Sequence, residues 1–332
     1  MENSSIEALL PTDVPDDPAL LELMLADLAE APAIFQPTPY WQKRWTRSIV
    51  ELRERGLKDF RRREDSALAG IGTTDPGPGG SDAIPYGLTL RDLQESAFRI
   101  ARMSGTIAGA RRVEDLDVSV VGNPVDVFEV GGRRYSMLAL RYYLRYAYCN
   151  GFVPFERHAT IAEIGPGLGR QVEVLKKLHP HLTFLLFDIP PFLYITEQFL
   201  SRVFPGDVVS YRDARQIDRF DRLERGRIYI LGNYHVPRLQ GAALDLLWAA
   251  ATFGATELPV VESYLAPVRD TVKFAYLLDI MDGYTHGKIR QQTSLDDYRR
   301  MLEPFDLLDC SPAYDALGRL ADYSHSFWAR RT

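Results

Sequence analysis

Apolar positions are spaced in two ways along this chain, and the contrast is sharpest between Thr160 and Asp188. Thr160, Ile161, Ala162, Glu163 and Ile164 form a short, mostly apolar run that stops at three alternating glycines, Gly165, Gly167 and Gly169. Such a run predicts a buried strand entering a tight turn. From Gln171 to Leu178 the spacing becomes helical, with Val172, Leu175 and Leu178 on one stripe, until Pro180 ends it. A second apolar run, Leu182 to Phe187, ends in Asp188. The segment predicts a βαβ unit with a carboxylate at the tip of its second strand.

The alternation continues downstream. The spacing predicts a helix over Phe192 to Val203, a third strand over Val208 to Tyr211 and a fourth over Arg227 to Leu231. It then predicts a helix over Leu239 to Phe253, a fifth strand over Leu258 to Val261 and a helix over Lys273 to Ile280. Met301 to Asp309 and Tyr323 to Arg330 read as closing strands. The expected class is α/β, a Rossmann-like doubly wound sheet occupying 151–332.

Residues 1–150 read differently, as a mainly helical N-terminal domain serving substrate binding or dimerisation. Asp17 and Pro18 look like the cap and first turn of a helix whose stripe is Leu21, Leu25 and Leu28. A second helix is expected from Tyr40 to Arg55, and Arg61, Arg62 and Arg63 read as a solvated basic face. Gly70 to Pro85 is rich in glycine and proline, a loop acting either as a mobile cover or as a linker. Leu88 to Ala108 and Ser136 to Cys149 read as helices, with a hairpin over Val127 to Tyr135 between them.

Composition narrows the class. At 332 residues, 46% hydrophobic and 25% charged, the chain can bury one large core and an accessory domain. The net charge of −6 argues against nucleic acid as a partner. The cysteines, Cys149 and Cys310, lie far apart and match no metal or disulfide spacing. No apolar run approaches the roughly 18 residues of a membrane span. The expectation is a cytoplasmic protein without a membrane partner, with a homodimer among the assemblies it allows.

The chemistry concentrates at the predicted strand ends. Gly165, Gly167 and Gly169 let a ligand approach the backbone at a helix N-terminus, and Asp188 accepts hydrogen bonds from ribose hydroxyls. A dinucleotide fingerprint needs G-x-G-x-x-G, but its third position is Arg170. Glu163, two residues before Gly165, suits a cationic amino-acid tail better than a pyrophosphate. This pattern resembles the class I methyltransferases that use S-adenosyl-L-methionine, where E/D-x-G-x-G-x-G and the acid ending the second strand hold the cofactor.

Further residues sharpen the resemblance. Gly122-Asn123-Pro124, Gly131 followed by Tyr135, Leu140-Arg141-Tyr142-Tyr143, EIGPGLGR and FDIPPFL look like the bacterial sugar methyltransferase family. That family is known mainly for sugar O-methyltransferases, with similar enzymes methylating amino groups in aminoglycoside antibiotic pathways. The resemblance implies that Arg141 contacts the cofactor carboxylate and that Asp213, followed by Ala214, accepts from the adenine amino group. It also implies that the closing strands pair antiparallel.

At the fourth strand, Asn233 is expected to meet the cofactor, Tyr234 to line either ligand, and His235 to accept the proton lost by the acceptor. His235 capping the next helix is the other reading. Glu262 is expected at the ligand side of the fifth strand. Asp279, Asp282 and His286, with Tyr284, are read as polar loop residues pairing with an amino sugar, without a metal. The combined expectation is N-methylation of an amino sugar in an aminoglycoside-type substrate. Sugar O-methylation, a nicotinamide-dependent sugar oxidoreductase and a cofactor-binding protein without catalysis are the alternatives.

Overall fold

Thr160–Ile164 is a central strand because four of its five side chains are buried, as a strand covered on both faces requires. In the computed structural model it belongs to an eight-stranded sheet. The structure describes residues 12–63, 65–68, 89–281, 289, 291–315 and 318–331. The expected loop over 70–85, and Asp282, Tyr284 and His286, lie outside the described residues.

The N-terminal part is helical as expected. α1 (Pro18–Glu30) is capped by Asp17, whose side chain accepts from the Leu20 amide. α2 is Pro39–Arg55, α3 is Leu90–Ile107, and the small hairpin is β1 (Phe128–Val130) with β2 (Arg133–Tyr135). α4 (Met137–Asn150), capped by Ser136, leads into β3 (Thr160–Ile164). Next come α5 (Arg170–Leu178), β4 (Thr183–Asp188), α6 (Pro190–Val203), β5 (Val208–Val209) and α7 (Tyr211–Ala214). β6 (Ile228–Gly232), β7 (Leu244–Ala250), α8 (Leu258–Leu265), β8 (Val272–Ile280), α9 (Leu295–Met301), β9 (Phe305–Asp315) and β10 (Gly318–Arg330) complete the chain.

The sheet runs β5-β6-β4-β3-β7-β8-β10-β9. Strands β5 to β8 are parallel; β10 is antiparallel to β8 and to β9, as the resemblance implied. After β3 the chain builds outward through β4, β6 and β5, then returns to the other side of β3 with β7. That reversal opens a crevice at the carboxyl ends of β3, β4 and β7.

Three expectations are corrected here. The segment read as the helix Leu239 to Phe253 contains β7, the one read as the strand Leu258 to Val261 begins α8, and the one read as the helix Lys273 to Ile280 is β8. Leu and Ala in 244–250 favour a helix, but β7 lies between β3 and β8, where continuous apolar sequence fits a strand buried on both faces. Pro259 fits the first turn of α8 and would break a central ladder. β6, read as the fourth strand, pairs with β4 and takes the third position in the order, leaving β5 as a two-residue edge.

The basic run is a further correction. Arg61 is fully buried, donates to the carbonyls of Ser119 and Val121, and lies in the field of Glu173 and Asp126. Glu173 is itself buried, with Arg170 Nε at 3.0 Å and Lys177 Nζ at 3.1 Å, and these cations hold its carboxyl down at about 2 despite burial. Arg63 pairs with Glu51 at 3.2 Å with both side chains nearly buried, and Arg62 alone of the three is exposed. One apolar core cluster runs from Leu20 and Met24 of α1 through Ala97 and Tyr143 to Ile161 and Trp248, so the helical part and the sheet share a core.

Trp248 sits fully buried on β7, its ring centroid 4.4 Å from that of Tyr276. Trp248→Ala should cost about 3–5 kcal/mol, read from the denaturant midpoint of the variant against the parent. A loss below about 1 kcal/mol would mean that the β7 packing described here is wrong.

Candidate functional site

The glycine turn is built so that the backbone lines the crevice. Gly165, Gly167 and Gly169 all have positive φ, 74°, 61° and 72°. A Cβ on Gly165 would sit 2.3 Å from Thr252 Oγ1, and one on Gly169 would meet Leu200 at 2.9 Å. Those two glycines are therefore required by both conformation and space. The Gly167 amide donates to Asp188 Oδ2 at 3.0 Å and the Ile189 amide to Asp188 Oδ1 at 2.8 Å, so the tip of β4 is locked to the turn after β3.

A cleft of about 380 Å³ opens over this turn. Of the expected residues it gathers Arg141, Glu163, Gly165, Gly167, Asp188 and Asn233. Glu163 and Asp188 are buried carboxylates. Burial raises the Glu163 carboxyl to about 8, with Asp188 adding to the rise and Arg145 opposing it. Burial likewise raises Asp188 to about 7, against the two amide donors. Both sit well above the usual carboxylate range, as expected where burial outweighs the nearby charges and donors.

Asn233 is held at the end of β6 by two donations from Nδ2, to the Phe35 carbonyl at 2.8 Å and to Tyr264 Oη at 2.9 Å. Its Oδ1 is buried without a hydrogen-bond partner. An orphaned acceptor beside a cleft is a place for a ligand's donor.

The other expected residues do not line this cleft. Gly169 caps α5 behind the turn. Asp213 is exposed on α7, accepting from Ser210 Oγ at 2.7 Å, and Ala214 is buried in the core on the other side of the sheet end. Tyr234 hydrogen-bonds Tyr211, away from the cleft. His235 is buried beside Tyr234, and its Nδ1 accepts from the Gly232 amide at 3.1 Å. Burial, with the cations of Arg238 and Arg215, lowers that imidazole to about 3, so it stays neutral. Glu262 lies on α8 and accepts from Arg300 at 2.6 Å. Asp279 is buried at the end of β8, accepting from Tyr298 Oη and from the Ile280 amide at 2.8 Å.

Sequence reading missed much of the wall. α2 contributes Tyr40, Trp41 and Arg44; α4 adds Leu138, Tyr142 and Arg145 beside Arg141; and Thr252 follows β7. Leu138, Arg141, Tyr142 and Arg145 have the i, i+3, i+4, i+7 spacing of one helix face, a signal present in the sequence. The α2 residues carried none, because only the tertiary arrangement turns that helix toward the strand ends. Ala251, between Ala250 and Thr252, has φ of 58°, a strained value for a non-glycine residue that aims the chain after β7 across the glycine turn.

Fold and site together define an open doubly wound sheet with a cleft at its reversal point, lined by a glycine turn and two buried carboxylates. No family model matches the chain, and no curated protein matches it. Among solved structures, it is similar to the mitomycin 7-O-methyltransferase MmcR, at 14% identity over 80% of this chain and 76% of that one, with a TM-score of 0.41. It is also similar to magnesium protoporphyrin IX methyltransferase from Synechocystis PCC 6803 with bound SAH, at 8% identity over 59% and 84%, TM-score 0.41. The pyocyanin biosynthetic protein PhzM matches at 9% identity over 57% and 58%, TM-score 0.37, so the match spans under two thirds of that protein's length. Likenesses this low carry no argument about function, and the class stands on the sheet order and the cleft. Among the described residues no helix is long and apolar enough to cross a membrane.

Proposed function

We propose that the protein is an S-adenosyl-L-methionine-dependent methyltransferase acting on a hydroxyl group of a small molecule. The observation that carries the reading is the pair of buried carboxylates, Glu163 and Asp188, both raised by burial, on either side of a G-x-G-x-G turn. A cationic amino-acid tail relieves Glu163, a ribose diol donates to Asp188, and a base amino group meets the orphaned Asn233 Oδ1. A pyrophosphate would face Glu163 as a like charge, and Arg170 at the third-glycine position is spent on Glu173 inside the core. When bound, the cofactor supplies an electrophilic methyl carbon.

What the described residues contribute is positioning and exclusion of water. The glycine turn brings backbone to the ligand, α2 and α4 wall the cleft, and Thr252 closes it beside Gly165. Arg141 and Arg145 on α4 are the groups proposed to meet the cofactor carboxylate. Of the residues behind the amino-sugar expectation, Glu262 and Asp279 face other partners, Asp282 and His286 lie outside the described residues, and guanidiniums line the described cleft. O-methylation, the alternative weighed from the sequence, fits that lining better.

Calorimetric titration of the full chain with S-adenosylhomocysteine and, separately, NADH tests the reading. Saturable binding of S-adenosylhomocysteine alone supports it; binding of NADH alone would replace it with the oxidoreductase. His235→Ala should leave the S-adenosylhomocysteine affinity within about twofold, while lowering stability by about 1–2 kcal/mol through the lost Gly232 partner. A large drop in affinity without loss of stability would bring the imidazole back to the cleft.

A further inference from the structure

The charge in the cleft is divided unevenly. Its carboxylates, Glu163 and Asp188, stand at the tips of β3 and β4, where the proposed cofactor lies. The α2 wall presents Tyr40, Trp41 and Arg44 and no acid. Trp41 is fixed edge-on against Phe192, centroids 5.7 Å apart, and Arg44 lies 5.9 Å over the Trp41 ring. Arg44 is half-buried and has no ion pair among the described residues. From α4, Arg145 stands 4.9 Å over the Tyr142 ring, and its Nε is buried without a hydrogen-bond partner.

Arg44 and Arg145 face the two carboxylates, and Arg141 adds a further cation to the lining. S-adenosylmethionine, with its sulfonium and ammonium against one carboxylate, would add a net positive charge to a partly desolvated space, where an unbalanced charge is costly. An acceptor bearing an anion reduces that imbalance, and a guanidinium stacked on an aromatic ring is a preorganised fork for carboxylate or phosphate. A polycationic acceptor would increase it.

We infer that the acceptor is an anionic ring compound, a sugar or aryl hydroxyl compound carrying a carboxylate or phosphate, with its ring against Trp41 and its anion read by Arg44. This rests on the methyltransferase reading. Arg44 is a specificity-determining residue in this assignment, and the glycine turn holds the cofactor without it.

The test is calorimetry on the full chain saturated with S-adenosylhomocysteine. The sugar arm uses glucuronate and glucose 1-phosphate, with methyl glucoside as the neutral control; the aryl arm uses 4-hydroxybenzoate, with 4-hydroxybenzamide as its control; neamine is the cationic probe. The expected result is measurable binding in at least one anionic arm, at least tenfold tighter than its neutral control. It should weaken about tenfold in Arg44→Gln and be retained in Arg44→Lys better than in Arg44→Gln, with S-adenosylhomocysteine affinity unchanged in both. Preference for neamine, no binding by any anionic probe, or an Arg44→Gln variant that binds the anion as well as the parent would overturn the inference. Failure of the parent to bind S-adenosylhomocysteine would overturn the cofactor reading itself, and the two failures are read from separate titrations.

Discussion

Asp188→Ala should bind S-adenosylhomocysteine roughly 100-fold more weakly than the parent, the scale of one to two charge-assisted hydrogen bonds lost. The carboxylate has two tasks. It holds the amides of Gly167 and Ile189, fixing the turn after β3 to the tip of β4, and it offers the ribose an ionised acceptor. Asp188→Asn separates them, because the amide keeps an acceptor for one backbone donor while losing the charge. It should fall between parent and alanine variant. Equal affinity of parent and Asp188→Ala in calorimetry would remove the ribose from this site.

Binding of S-adenosylhomocysteine near pH 7 should release between one and two protons. In the empty cleft Glu163 titrates at about 8 and Asp188 at about 7, so at neutral pH much of the pair is protonated. A ligand ammonium favours the ionised forms and lowers both values. Apparent affinity should therefore fall as pH drops below about 8, approaching tenfold per unit, and fall more steeply below about 7. Titrations in buffers of different ionisation enthalpy read the proton number directly; Glu163→Gln should remove the share belonging to the higher group. An affinity flat between pH 6 and 9 would contradict the prediction.

The same shifts set a stability profile. A carboxyl whose folded value lies above its unfolded value of about 4 leaves the folded state holding more protons. Its contribution is full below about 4 and is lost as pH rises through 7 to 8. The ligand-free protein should lose melting temperature between about pH 4 and 8 and level off above that, and saturating S-adenosylhomocysteine should reduce the loss. Asp279 at about 7 and Glu197 at about 7 act in the same direction, but the ligand does not reach them. The ligand-dependent difference isolates the cleft pair.

The part of the cleft proposed to hold the cofactor was legible because its residues are local. Gly165, Gly167, Glu163 and Asp188 are fixed by a strand, a turn and a strand within 29 consecutive residues, 160–188. The stretch from 239 to 280 was illegible because apolar runs rich in Leu and Ala serve either a helix or a doubly buried strand, and the neighbours of β7 decide. Pro259 held the missing signal. Placing β6 in the third position also moved the chemistry: Asn233, at its end, reaches the cleft, while Asp213, after the short edge strand, does not. Arg61 read as surface because a basic triplet is usually solvated, and nothing nearby in sequence announces Glu173, 112 positions away.

The placement of Arg61 in the field of Glu173 has a consequence for how such a chain can diversify. α5 begins where the glycine turn ends, so the charges that tie it to the N-terminal segment also keep that turn in place. A truncation that removed residues before 64 would take away Arg61 and the share of the common core made by Leu20, Met24 and Phe60, so the sheet is not a detachable module. Residues 38–45 touch none of those charges and carry the α2 wall of the cleft. If the proposed acceptor site is right, recombination in that short stretch would change the acceptor while the glycine turn stays intact, which makes it the place to swap sequence when a new acceptor is wanted.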